Sequence, residues 1–244
     1  MKEVLNVQNL RVAIDKKVVI KKANLLVNDD DSVLIVGPNG SGKTSLIQAI
    51  AGNPKYRILS GKVLFEGEDI SGLSMVERVK RGIVASFQFP PKLKGVTLGR
   101  LAFEILKRKG CNNPSEFMHK LASQLNLIEF LDRDLNVGFS GGEMRRAELF
   151  LTLLHRPKLA LLDEIDSGVD VENIALIAKV LNRYITQFKM NILVVTHTAS
   201  IARYVKFNRT YVVVDGVVKE AGNPEEILGK IQEYGFYDFV GVVE

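Results

Sequence analysis

The stretch that most constrains this chain is Gly37-Pro38-Asn39-Gly40-Ser41-Gly42-Lys43-Thr44. It fits the phosphate-binding loop pattern G-x-x-x-x-G-K-[ST], which works only between a strand and a helix. Both flanks have the required character. Ser32-Val33-Leu34-Ile35-Val36 is a short β-branched run that reads as a buried strand feeding the loop. Leu46, Ile47 and Ile50 then fall at helical spacing, and Gly52 supplies a C-terminal stop. Three glycines let successive backbone N–H groups curl around phosphate oxygens, while the positive end of the helix dipole faces the same anion. The motif predicts a nucleoside triphosphate held by residues 37–45 (Gly37 through Ser45), with Lys43 on the β- and γ-phosphates and the Thr44 hydroxyl on Mg²⁺.

Length and composition decide what can surround such a loop. With 244 residues, 46% of them hydrophobic, the chain can build one large α/β domain carrying an inserted lobe. Its net charge of +5 is spread out: the tightest basic cluster is Lys107-Arg108-Lys109, with Lys16-Lys17 and Lys21-Lys22 as pairs, so no nucleic-acid stripe is implied. Cys111 is the single cysteine. It excludes an intramolecular disulfide, suits a reducing compartment, and cannot by itself hold an iron–sulfur cluster. We read it as a loop or partly buried thiol, and His119 and His155, which lack companions at metal spacing, as surface or satisfied helix residues. There is no signal-peptide pattern and no apolar run near the roughly 18 residues of a membrane span, so a cytoplasmic protein without direct membrane insertion is expected.

Along the chain, residues 3–27 read as two or three strands, with Lys21-Lys22 as a polar break between Val18-Val19-Ile20 and Leu25-Leu26-Val27. Asn28-Asp29-Asp30-Asp31 reads as a turn with a solvated acidic tip. A strand–turn–strand covers residues 61–70, a short helix runs through Met75–Arg81 to Gly82, and strand pattern resumes over residues 83–88. From Pro90 to about Leu154 the period becomes helical. The expected organisation is a single domain over residues 1–244, with a core lobe of 1–88 and 155–244 and a helical subdomain of about 89–154. Residues 158–162 and 191–196 are apolar without alternation, as in a parallel sheet covered on both faces. A helix, Val171–Gln187, joins them, and Asp215-Gly216 marks a hairpin.

Four further pieces follow the loop in order: Gln88 at the end of a strand, Ser140-Gly141-Gly142-Glu143, the apolar run Leu159–Leu162 ending in Asp163-Glu164, and His197 after Ile192–Thr196. A carboxylate at a strand tip beside the loop can hold Mg²⁺, which suits Asp163, with Gln88 placed for the metal or the attacking water. Glu164 can then orient or deprotonate that water, and His197 can contact the γ-phosphate. Ser140 and Glu143 have capping-box spacing and start a helix running to Leu154. The N-terminus of that helix is a second anion-binding end, and since the P-loop already serves the chain's own nucleotide, it must meet the γ-phosphate on another subunit.

This ordered set resembles the ATP-binding cassette (ABC) ATPases over the whole chain. The resemblance implies an α/β fold with a RecA-like P-loop core, N-terminal antiparallel strands and an inserted helical subdomain. It also implies ATP with Mg²⁺ and a transient head-to-tail homodimer in which Ser140, Gly141 and Gly142 act in trans and Asp170 links the two sites. The aromatic residue that stacks on adenine in such proteins falls near Ile14, so apolar contact is expected to replace stacking. Arg145-Arg146 reads as a solvated helix face, with restraint of Glu164 by Arg145 as the alternative that the family suggests.

Within the family, Glu164-Ile165-Asp166-Ser167-Gly168, the segment Phe87–Val96 and the tail Gly229–Val240 resemble the SufC-type ATPases of the Suf iron–sulfur cluster assembly system. That resemblance implies docking through Phe89–Gly95 on soluble scaffold proteins of the SufB/SufD type. The alternative is the ATP-binding subunit of a membrane transporter.

Overall fold

The computed structural model describes the backbone of residues 2–242 and the side chains of all of these except 232 and 237–242. The P-loop strand, β3 (Ser32–Val36), lies inside one ten-stranded sheet and is buried along its whole length. Its neighbours are β10 (Asn191–Val195) and β11 (Arg209–Val214), both parallel to it. Beyond β10 come β9 (Leu159–Asp163) and the edge strand β6 (Ile83–Ala85), again parallel. This arrangement brings the C-terminal ends of β3, β9 and β10 together, where α/β sheets carry their sites.

The other half of the sheet is built largely from antiparallel pairs. β1 (Glu3–Ile14) pairs with β2 (Lys17–Asn28) and with β4 (Tyr56–Phe65), which carries the two-residue β5 (Glu68–Asp69). β12 (Val217–Gly222) is antiparallel to β11 and parallel to β2, joining the halves into one sheet. Asp215-Gly216 forms the β11–β12 turn, as predicted, with both residues at positive φ. Lys21 and Lys22 do not end β2, which continues to Asn28, but the β1–β2 register shifts beside them and both of their N–H groups donate to the Gly216 carbonyl, at 2.7 and 3.3 Å.

Core residues split by face. Val33, Ile35, Leu161, Leu193 and Val195 pack with α1 (Lys43–Ala51) and the antiparallel strands. Leu34, Val36, Leu162, Ile192 and Val194 pack with α5 (Gly141–Leu154) and α6 (Val171–Phe188) on the opposite face. Burial on both sides is why these strands lack polar alternation. The inserted segment holds α3 (Leu98–Arg108) and α4 (Pro114–Gln124), but it opens with a strand, β7 (Leu93–Thr97), paired with the two-residue β8 (Asp134–Leu135). The helical period of the segment gave no sign of this pair, since β7 is exposed and carries no alternating apolar face. The strand expected over residues 83–88 ends at Ala85. The chain closes with α7 (Pro224–Val242), kinked at Gly235, which contains the tail segment 229–240; the side chains of residues 237–240 lie outside the described residues.

Two acidic and basic positions are less solvated than their sequence context suggests. Asp31, expected on a solvated tip, is buried: its carboxylate accepts from the Asn28 N–H at 2.7 Å and from Asn208 Nδ2 at 2.9 Å. Arg78, on the predicted helix α2 (Met75–Arg81), is 1% exposed. Its guanidinium donates to the carbonyls of Ala49 and Ile50 at the end of α1, and to those of Ser71 and Leu73. A cation at a helix C-terminus satisfies carbonyls that the helix leaves unpaired. Burial pulls the Arg78 pKa down to about 10, still far above neutrality, so the charge is kept. Arg78→Met removes all four bonds and is expected to lower stability by about 3 kcal/mol, read as a fall in the urea midpoint without change in slope.

Candidate active site

The C-terminal ends of β3, β9 and β10 open onto a cavity of about 510 Å³. Its walls include Asn39–Ser45 of the P-loop, Gln88, Glu164 and His197, together with Lys17, Val18, Val19 and Lys21 from β2 and the Asp215-Gly216 turn. Sequence positions from Lys17 to Gly216 thus converge on one space. The hairpin side of the wall begins at Lys17: its apolar side chains are Val18 and Val19, and Ile14, which pairs with Lys17 across the β1–β2 ladder, is not among the wall residues.

The P-loop is shaped by close backbone approach. A Cβ at Gly37 would overlap the Val213 carbonyl, and one at Gly42, where φ is 111°, would stand 2.8 Å from Ile20 Cδ1. Lys43 is 5% exposed, and its Nζ donates to the carbonyls of Gly37 at 2.8 Å and Pro38 at 2.9 Å. Gly37 and Pro38 therefore hold the lysine from beneath, while Asn39 to Ser45 face the cavity. Desolvation lowers the Lys43 pKa, and Glu164 and Asp163 work against that shift. The Ser41 hydroxyl is buried in the loop and has no hydrogen-bond partner, which fits a donor awaiting a phosphate oxygen.

Asp163 ends β9 with its side chain fully buried. Thr44 Oγ1 donates to its Oδ1 at 3.2 Å, its own N–H donates to Ser86 Oγ at 3.0 Å, and its Oδ2 has no partner. Desolvation pushes the carboxyl up to about 6, assisted by the neighbouring Glu164. A buried carboxylate atom without a donor, beside a threonine hydroxyl, is an oxygen pair of the kind that Mg²⁺ takes. The residues present fit that ion.

Glu164 sits at φ 50°, a left-handed conformation that glutamate adopts only when its surroundings impose it. Its N–H donates to the Val195 carbonyl at 2.8 Å, and its Oε1 lies 3.1 Å from His197 Nδ1. The restraint on Glu164 in this structure is thus His197. Arg145 turns elsewhere, donating through Nη1 to the carbonyls of Phe87 at 3.3 Å and Gln88 at 3.1 Å. The expected solvated Arg145-Arg146 face is also corrected, because Arg146 is 8% exposed and bonds the carbonyls of Leu125 and Asn126 at the end of α4.

A second cluster stands apart from the cavity walls. Ser140 caps α5 in the predicted capping box with Glu143. A Cβ at Gly142 would meet Asn173 Nδ2 at 2.7 Å, and one at Gly141 the Gly168 carbonyl at 3.2 Å. Asp170 caps α6 by accepting from the Asn173 N–H at 2.9 Å and also accepts from the Asn173 side chain. Ser140, Gly141, Gly142 and Asp170 therefore form one cluster, and none of them lines the cavity.

The family profile described as ABC transporter matches residues 20–167, which is more than half of the chain. The chain belongs to the ABC transporter family. As an ABC ATPase it binds and hydrolyses ATP, and its fold matches solved cassettes closely. A nucleotide-free ATP-binding cassette from an ABC transporter superposes with a TM-score of 0.77 at 27% identity, covering 96% of this chain and 97% of that one. A cassette in its ADP conformation gives 0.75 at 25% identity, covering 99% and 100%. Among curated relatives, a probable ATP-dependent transporter, ycf16, from Cyanidium caldarium is 36% identical over 91% of this chain and 92% of its own length. The probable ATP-dependent transporter slr0075 from Synechocystis is 33% identical over 97% and 95%.

Two residues of this ABC ATPase site escaped the sequence reading. Asp166 Oδ2 accepts from Thr196 Oγ1, Thr198 Oγ1 and the Ile201 N–H, which ties down the loop carrying His197. Glu148, buried on α5, accepts from the Phe87 N–H at 2.6 Å. Its position in a helix, among apolar neighbours in sequence, was the available signal. Asp163 generates a prediction with a definite sign. Its folded pKa lies above the ordinary carboxyl value near 3.8, so its contribution to stability is present below that value and lost as pH rises through about 6. Asp163→Asn removes the ionisable group and is expected to raise metal-free stability at pH 7.5 by about 1–3 kcal/mol while abolishing hydrolysis. Thermal scans at pH 5 and pH 7.5 check it: the gain should shrink at the lower pH.

Proposed function

We propose that the chain is the ATPase of a soluble assembly machine of the SufC type, closing head to tail with a second copy on ATP and passing that motion to scaffold proteins of the SufB/SufD kind. The observation that carries the two-copy part is the separation of the clusters. The cavity that binds the chain's own nucleotide has no wall from Ser140, Gly141 or Gly142, whose helix end is built as an anion site. A second copy in reversed orientation brings that end to the γ-phosphate.

In this reading the backbone N–H groups of residues 39–45 and the Lys43 ammonium, held by the Gly37 and Pro38 carbonyls, bind the phosphates. Thr44 Oγ1, Asp163 and Gln88 would hold Mg²⁺, which would supply positive charge to offset that of the phosphates. Glu164 orients the attacking water and receives its proton. His197, bonded to Glu164 at 3.1 Å, fixes that carboxylate and faces the γ-phosphate. Asp170 stands at the dimer seam beside the Gly141-Gly142 end.

Support for the partner class comes from two places. Glu164-Ile165-Asp166-Ser167-Gly168 keeps the SufC-like sequence, and its Asp166 anchors the His197 loop. Next to Gln88 the chain exposes Phe87 and Phe89, the latter 84% exposed, which suits a docking surface coupled to the nucleotide. The second reading, a transporter's ATP-binding subunit, is favoured by the relatives, which are described as probable ATP-dependent transporters. Among the described residues no helix is long and apolar enough to cross a membrane, so in that case a separate chain supplies the span.

Two measurements test these parts separately. Glu164→Gln should bind ATP, turn over at least ~100-fold more slowly and elute as a dimer in gel filtration with Mg·ATP; a monomer under those conditions overturns the composite site. Gentle affinity purification from both cell fractions, with partners identified by mass, tests the machine. Soluble SufB/SufD-type proteins are expected, whereas a multi-spanning membrane partner transfers the chain to the transporter reading.

A further inference from the structure

The root of the Gln88 loop is gripped by two side chains of α5, the helix capped by Ser140. Phe87 donates its N–H to Glu148 Oε1 at 2.6 Å, and the carbonyls of Phe87 and Gln88 accept from Arg145 Nη1. Both side chains lie on α5, one turn apart, and α5 opens with Ser140-Gly141-Gly142. Glu148 is 5% exposed, and burial pushes its carboxyl up to about 7. A carboxylate kept in so dry a place at that cost needs a compensating role, and here its partner is the Phe87 backbone N–H of the loop.

We propose that Glu148, with Arg145, is a positioning clamp that makes the Gln88 loop and α5 one mechanical unit. Gln88 lines the cavity, so it responds to the chain's own nucleotide. Through Phe87 the same displacement is handed to α5, and its far end, Ser140-Gly141-Gly142, is set for the nucleotide of the second copy. Nothing along this path relies on side-chain contact with the nucleotide by Glu148 itself. Binding of ATP is therefore separable from closure, and Glu148 belongs to closure. The inference rests on the two-copy reading above.

Two substitutions distinguish a clamp from a structural carboxylate. Glu148→Gln keeps a carbonyl oxygen for the Phe87 N–H and removes the charge; Glu148→Leu keeps bulk and removes the acceptor. Each is combined with Glu164→Gln, and gel filtration with Mg·ATP is run beside ATP titration with a fluorescent analogue and a thermal scan. The Leu combination should lose dimer at least tenfold while its ATP affinity changes less than threefold and its melting temperature is unchanged or higher. The Gln combination should dimerise as Glu164→Gln alone does. In the otherwise native chain, Glu148→Leu should lower kcat at least tenfold with KM nearly unchanged, and Glu148→Gln should stay within threefold. Full dimerisation of the Leu combination overturns the clamp, as does loss of ATP affinity in step with the dimer, or a Gln variant as impaired as Leu. If Glu164→Gln alone stays monomeric, the two-copy reading fails instead, and the clamp is decided by the kcat and KM split.

Discussion

The rest of this molecule depends on holding an ionisable carboxyl, Asp163, at the end of a fully buried strand. β9 has burial on both faces, and the side chain that finishes it has one oxygen on Thr44 and one without a partner. Such a group is costly in an apolar surround, which is what raises its pKa to about 6. The parallel ladders to β10 and β6 and the two apolar faces of the sheet hold it there regardless. The destabilised carboxyl and the buried, unpartnered Ser41 hydroxyl lie at the same P-loop, so the strain of the ligand-free site sits where a metal and phosphates relieve it.

Around that centre, polar side chains do the fastening through backbone groups more than through one another. Arg78 closes the carbonyl end of the P-loop helix, Asp166 gathers the loop that carries His197, and Arg145 with Glu148 takes hold of the Gln88 loop. Each is buried or half-buried and each secures a segment that regular secondary structure leaves unpaired. The result is a site whose floor is a rigid sheet and whose reactive loops are tethered individually. Loops tethered this way can shift as units without disturbing the floor.

Much of this was legible from residue order alone, for physical reasons. The P-loop glycines, the capping box at Ser140, the helix Met75–Arg81 with its stop at Gly82 and the Asp215-Gly216 turn are all local: their conformations follow from short-range sterics and hydrogen bonds. The apolar, non-alternating strands announced a sheet covered on both faces. Motif order then assembled P-loop, Gln88, Asp163, Glu164 and His197 into one site, and the cavity does hold Gln88, Glu164 and His197 beside the loop.

Tertiary structure decided what a charged residue is near. Asp31 and Arg146 looked like solvated charges and are buried on backbone and amide partners, because distant segments bring Asn208 and the end of α4 to them. Arg145 had two sequence-level readings, solvent or Glu164, and takes neither, since folding places the Phe87 and Gln88 carbonyls in its reach and His197 beside Glu164. Sequence by itself determined the phosphate loop, the elements around it and the chemistry that they can carry, since those depend on neighbours a few residues apart. Only the fold determined which polar groups meet across distances from 20 residues (Arg146 to Asn126) to 177 (Asp31 to Asn208), because hydrogen-bond partners at that separation are fixed by packing and by no local pattern.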